Sequence, residues 1–140
     1  MIKKILVPID GSDHSRKALE YASDIASKYK AIVHLLHVVA PLPSIPYEDV
    51  IEEMREGQER FAKEILDEAV REIKKKGITN FQSTMLHGDP AHGIVDFAKR
   101  NDIDMILMGS RGAGGLESLL LGSVSQRVCH LADCTCVTVK

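Results

Sequence analysis

Five of the ten glycines fall between Gly109 and Gly122, in the spacing Gly109-x2-Gly112-x9-Gly122-Ser123. Glycine lets a ligand approach main-chain amides with no Cβ in the way, and it tolerates positive φ. Gly122-Ser123 opens a helical pattern whose first amides and positive dipole end are free to receive a phosphate. The hydroxyls of Ser123 and Ser125 can add hydrogen bonds, so the segment reads as a phosphate cradle. The bland reading is that the glycines mark turns and Ser123 only caps a helix; their joint placement between an apolar strand and a helix favours phosphate. Asp10 ends the first apolar run, where a carboxylate suits a ribose hydroxyl or a phosphate-bound Mg²⁺, or equally a turn. Arg111, inside the loop, fits a phosphate contact or a solvated turn position.

Other chemistries lack their residues. There is no GxxxxGK[ST], and Asp10-Gly11-Ser12-Asp13 is not a GxGxxG turn. His34 and His37 stand three apart in a strand and so face opposite sides. Cys134 and Cys136 share a face but have no further Cys or His pair, so no metal site made of side chains is expected. Neither HExxH nor GxSxG occurs, and no catalytic residue is assigned.

The elements that must position these residues follow from periodicity. Residues 4–10 (KILVPID), 31–39 (AIVHLLHVV), 81–86, 103–108 (IDMILM) and 136–139 read as strands. Between them lie helical patterns. The first carries Ala18, Ala22, Ile25, Ala26 and Tyr29. A long charged helix from about Tyr47 to Lys76 has an expected inner stripe of Ile51, Met54, Phe61, Ile65, Ala69 and Ile73. A third helix starts at Asp89-Pro90, with proline at its first position, and the last runs from Ser123 to Leu131. Pro41, Pro43 and Pro46 mark an irregular connection. Alternation of this kind makes one doubly wound α/β domain, residues 1–140, with a parallel sheet covered by helices on both faces. Ligands of open α/β sheets bind beyond the carboxyl ends of the strands, where the winding direction switches. If the first and fourth strands are neighbours, Asp10 and the Gly109 loop share that crevice.

Composition narrows the function. The chain of 140 residues is 44% hydrophobic and 27% charged, with a net charge of −2, 4% aromatic residues and no Trp. Phosphate-neutralising or base-stacking nucleic-acid binding is disfavoured. No apolar run reaches membrane-spanning length, and Met1-Ile2-Lys3-Lys4 leads into a strand that meets Pro8 and Asp10, not into a leader. Three cysteines, Cys129, Cys134 and Cys136, suit a reducing cytoplasm.

The sequence resembles the universal stress protein family, in its ATP-binding branch, along the whole chain. The resemblance rests on Lys4-Ile5-Leu6-Val7-Pro8-Ile9-Asp10-Gly11-Ser12, Leu36-His37-Val38, Met108-Gly109-Ser110-Arg111-Gly112, and Gly122-Ser123-Val124-Ser125. It implies a fold of the adenine nucleotide alpha hydrolase type with strand order 3-2-1-4-5. It further implies adenine near Val38, Pro8 and Asp10 along the adenosine, and Gly109, Gly112, Gly122, Ser123, Val124 and Ser125 around ribose and phosphates. ATP, with Mg²⁺ held mainly through the phosphates, is the implied ligand, and a homodimer through the last strand the implied assembly. Cys134-Thr135-Cys136 departs from the proline common there. The expected function is a cytoplasmic, nucleotide-dependent stress-response sensor or switch, with an unidentified protein partner. The alternatives are a slow Mg-dependent ATPase and a nucleotide-free dimeric interaction module.

Overall fold

Among the described residues, five strands and four helices alternate along the chain. The computed structural model describes residues 1–111 and 121–140. The elements are β1 (Lys4–Pro8), α1 (Asp13–Tyr29), β2 (Ile32–Val39), α2 (Glu48–Lys75), β3 (Phe81–His87), α3 (Pro90–Arg100), β4 (Met105–Gly109), α4 (Ser123–Leu131) and β5 (Thr135–Val139). The five strands are parallel, in the order β3-β2-β1-β4-β5. The expected sheet order is therefore observed, and β1 and β4 are direct neighbours.

Successive residues of a strand face opposite sides, and the core divides accordingly. Ile5, Val7, Val33, Leu35 and Leu107 pack with Ala18 and Ala22 of α1 and Ile65, Ala69 and Ile73 of α2. Leu6, Leu36, Ile106 and Met108 pack with Ala91 and Ile94 of α3 and Val128 of α4. β1, β2 and β4 thus bury both faces, which explains why these three strands read as largely apolar runs.

Several boundaries differ from the sequence reading. β1 ends at Pro8, although Ile9 N–H still donates to Leu36 O at 2.8 Å. β4 starts at Met105 because Ile103 N–H closes the end of α3 onto Ala98 O, at 3.0 Å. Asp104 then accepts from the backbone N–H groups of Lys3 and Lys4, at 2.8 and 2.9 Å, aligning β4 with the start of β1. These two bonds hold the Asp104 carboxyl below its usual range.

The expected inner stripe of α2 holds only in its second half. Ile65, Ala69 and Ile73 are buried, whereas Met54 and Phe61 are 39% and 56% exposed. The cause is length. Twenty-eight helical residues span roughly 42 Å, and the eight residues of β2 roughly 26 Å, so the first turns of α2 project past the sheet.

Candidate functional site

The carboxyl ends of β1 and β4 meet where the sheet reverses its winding, and α1 and α4 both start there. On the β1 side the chain is held in place after Pro8. Ile9 N–H donates to Leu36 O, and His37 Nδ1–H donates back to Ile9 O at 2.6 Å. A carbonyl can only accept, so this bond fixes the His37 tautomer with a proton on Nδ1. Asp10 Oδ1 then accepts from Ser12 N–H at 2.9 Å, closing an Asx turn. Gly11 sits in that turn at φ +83°, a conformation glycine adopts without strain. A Cβ at Gly11 would also stand 3.3 Å from Ile65 Cγ1 of α2. Ser12 caps α1 by accepting from Ser15 N–H.

On the β4 side, glycine is required for proximity and not for conformation. A Cβ on Gly109 would lie 2.7 Å from His14 Cβ, 2.8 Å from the His14 carbonyl carbon and 2.9 Å from Ser15 N. The first turn of α1 therefore rests directly on the end of β4. Two side chains not singled out from sequence reinforce the contact, His14 Nδ1 and the fully buried Ser110 Oγ, at 3.1 Å. Ser110 N–H donates to Val139 O at 2.7 Å, and Ser110 O accepts from Gly122 N–H at 2.6 Å. The end of β4 and the start of α4 are thus held side by side.

Gly122 caps α4 in extended backbone, φ −66° and ψ 160°, with no side-chain cap bond. By contrast, α1 and α3 carry Ser12 and Asp89 caps. The first amides of α4 thus receive no side-chain cap from their N-cap residue. Ser123 is exposed and Val124 37% exposed. Ser125 is buried, and its hydroxyl donates to Gly109 O at 2.7 Å, tying α4 to the end of β4. The expected set is accordingly gathered at one place by two different routes. Pro8, Asp10, Gly109, Gly122, Ser123, Val124 and Ser125 lie at the β1 and β4 ends and the α4 start. Met108 is buried in the α3–α4 layer. Val38 is half-buried in that layer, and a Cβ on Gly93 of α3 would meet both of its γ methyls at 3.2 Å. Arg111 closes the first described stretch, and Gly112 lies outside the described residues.

At the same end of the sheet, Asp89 accepts from His92 N–H at 3.0 Å and pairs with the His92 ring at 2.7 Å and with Arg127 of α4 at 3.4 Å. The His92 bonds and then the Arg127 charge hold its pKa down at about 2. This cluster links the starts of α3 and α4. In sequence it showed only as a helix cap, because Arg127 is distant along the chain. Among the described residues, no three His, Cys, Asp or Glu side chains are grouped as metal ligands.

The model of the Usp family, described as the universal stress protein family, matches residues 1–140. The chain belongs to the universal stress protein family. It is 38% identical over 147 residues to universal stress protein MJ0531 of Methanocaldococcus jannaschii, covering all of this chain and 83% of that protein. It is 36% identical to universal stress protein YxiE of Bacillus subtilis, with both chains covered in full. Among solved structures, the universal stress protein UspA from Lactobacillus plantarum superposes with a TM-score of 0.89 at 28% identity, over 99% and 97% of the two chains. A universal stress protein from Archaeoglobus fulgidus in complex with dAMP superposes with a TM-score of 0.72 at 26% identity, over 100% and 98%.

Proposed function

We propose that this protein binds an adenine nucleotide in the crevice between the Asp10 turn, Gly109 and the first turn of α4. The observation that carries the reading is the start of α4, at the winding switch, where the N-cap residue Gly122 supplies no side-chain cap. The dAMP bound to the Archaeoglobus relative supports the same ligand class. In this reading Val38 and Pro8 face the base and sugar, Asp10 takes a ribose hydroxyl, and Ser123 adds a hydroxyl to the phosphates. The buried Ser125 holds the cradle together through Gly109 O.

ATP is the proposed physiological form, with Mg²⁺ held through its phosphates. No lysine occupies a P-loop position, so backbone amides, the helix terminus and the cation share the phosphate charge. ATP affinity is therefore expected to fall sharply when divalent cations are chelated. The protein would act in the cytoplasm as a nucleotide-dependent switch in stress response, paired through the β5 edge and read by a protein partner. No helix among the described residues is long and apolar enough to cross a membrane.

The test is calorimetric titration with AMP, dAMP and ATP, with and without Mg²⁺, on the wild type and on Gly122→Val. Valine accepts the extended backbone of Gly122, so the variant is expected to keep the wild-type circular dichroism spectrum while losing nucleotide binding. Equal affinity in the variant would remove the phosphate cradle from the account.

A further inference from the structure

Tyr47, the N-cap of α2, and Val50, Met54, Gly57 and Phe61 of its overhanging half are spaced three, four, three and four residues apart. That is a heptad seam. Its side chains are not core: Tyr47 is 67%, Val50 45%, Met54 39% and Phe61 56% exposed. Space is open over Gly57, where a Cβ would meet nothing within 4 Å. An apolar stripe of this kind, on a helix that extends beyond its own sheet, marks an interface.

The charges around the seam are sorted. Glu48, Asp49, Glu52, Glu56 and Glu59 lie off it; Glu52 is paired with Arg55 at 2.7 Å, and Glu59 with His87. Two exposed charges flank the seam on one edge, Glu53 before Met54 and Arg60 before Phe61, seven residues apart and of opposite sign. Neither takes part in an ion pair among the described residues.

We propose that this face of α2 pairs antiparallel with the same face of a second copy of the chain. In that register Met54 of one copy fills the space over Gly57 of the other, and Val50 meets Phe61. Glu53 of each copy comes beside Arg60 of its mate, on both sides of the two-fold axis. The surface is complementary to itself, as an isologous contact demands. A parallel pairing would set Gly57 against Gly57 and leave a gap, so the antiparallel register is the one that fills. The half of α2 that packs on the sheet follows Phe61, so the two folded bodies lie at opposite ends of the seam. This contact is independent of nucleotide and of the β5 edge; a chain using both would form an assembly larger than a dimer.

Sedimentation velocity over a concentration series on the full chain tests it, with circular dichroism to confirm the fold of each variant. The wild type is expected to associate, and Met54→Glu to halve the mass of the assembly. Glu53→Arg and Arg60→Glu should each raise the dissociation constant several-fold, and the double variant E53R/R60E should restore it, since the pair is rebuilt with its signs exchanged. A wild type that sediments as a monomer throughout would overturn the proposal. So would Met54→Glu with wild-type mass, as pairing through β5 alone would give, or a double variant no stronger than either single one.

Discussion

Gly109→Ala is the substitution through which the site geometry is most sharply exposed. The added methyl would stand 2.7 Å from His14 Cβ, 2.8 Å from the His14 carbonyl carbon and 2.9 Å from Ser15 N. Two of these are backbone atoms, so no rotamer change relieves the contact; α1 must lift from β4, straining the His14–Ser110 bond at 3.1 Å. Overpacking of this kind costs about 1–3 kcal/mol. For a chain of this size, each kcal/mol moves the melting temperature by roughly 3–5 °C, so a loss of about 2 kcal/mol lowers it by about 6–10 °C. Gly57→Ala supplies the opposite sign within the same protein. Within one chain nothing lies within 4 Å of its new methyl, and the interior of α2 gains about 1 kcal/mol of helix propensity. Differential scanning calorimetry with urea midpoints reads both. A Gly109→Ala variant that melts with the wild type would refute the reasoning that proximity, and not backbone freedom, requires this glycine.

Ser125→Ala removes the donor to the buried Gly109 carbonyl and should cost about 1–3 kcal/mol in urea unfolding. The exposed Ser123→Ala should change stability by less than about 0.5 kcal/mol while weakening nucleotide binding; a reversal of this contrast would exchange the roles of the two serines. His34 is buried against Phe97, with neither ring nitrogen hydrogen-bonded, and burial followed by the Lys4 charge lowers its pKa. The unfolded chain therefore takes up a proton below pH about 6.5 that the folded chain refuses, so stability is lost as pH falls from there toward the folded value. His34→Phe should remove this part of the slope below about pH 6.5, and parallel urea profiles would count against it. Burial pushes the Cys136 thiol up to about 12, whereas Cys129 is exposed. Iodoacetamide near pH 8 should therefore mark Cys129 first by mass spectrometry, and early labelling of Cys136 would contradict its placement.

The architecture was legible because β1, β2 and β4 are buried on both faces and read as apolar runs, and because α1 and α3 carry their own side-chain caps. Asp89-Pro90 was visible as a helix start for that reason. Exposure along α2 was not legible. Met54 and Phe61 keep helical spacing, and periodicity records the face of a helix but not where its supporting sheet ends. The glycines of the site were recognised, but the reason differed. The described glycines with positive φ are Gly11, Gly77 and Gly88, while Gly109 is set by the approach of α1, a contact across nearly a hundred residues. Ser125 reads as a phosphate ligand because its hydroxyl follows Gly122; its donation to Gly109 O depends on the start of α4 lying beside the end of β4. His14, Ser110 and Arg127 carried no local signal, since each acts through a partner distant in sequence.

The central claim is that an adenine nucleotide seats its phosphates on the first turn of α4, beside the Asp10 turn. Amide resonances of the isotopically labelled protein, followed during titration with AMP and then ATP with Mg²⁺, test it directly. The account predicts the largest shifts at Ser123, Val124, Ser125 and Ser12, with smaller ones at Val38. Saturable binding that leaves these amides unmoved and shifts others instead, or no binding of either nucleotide, would contradict it.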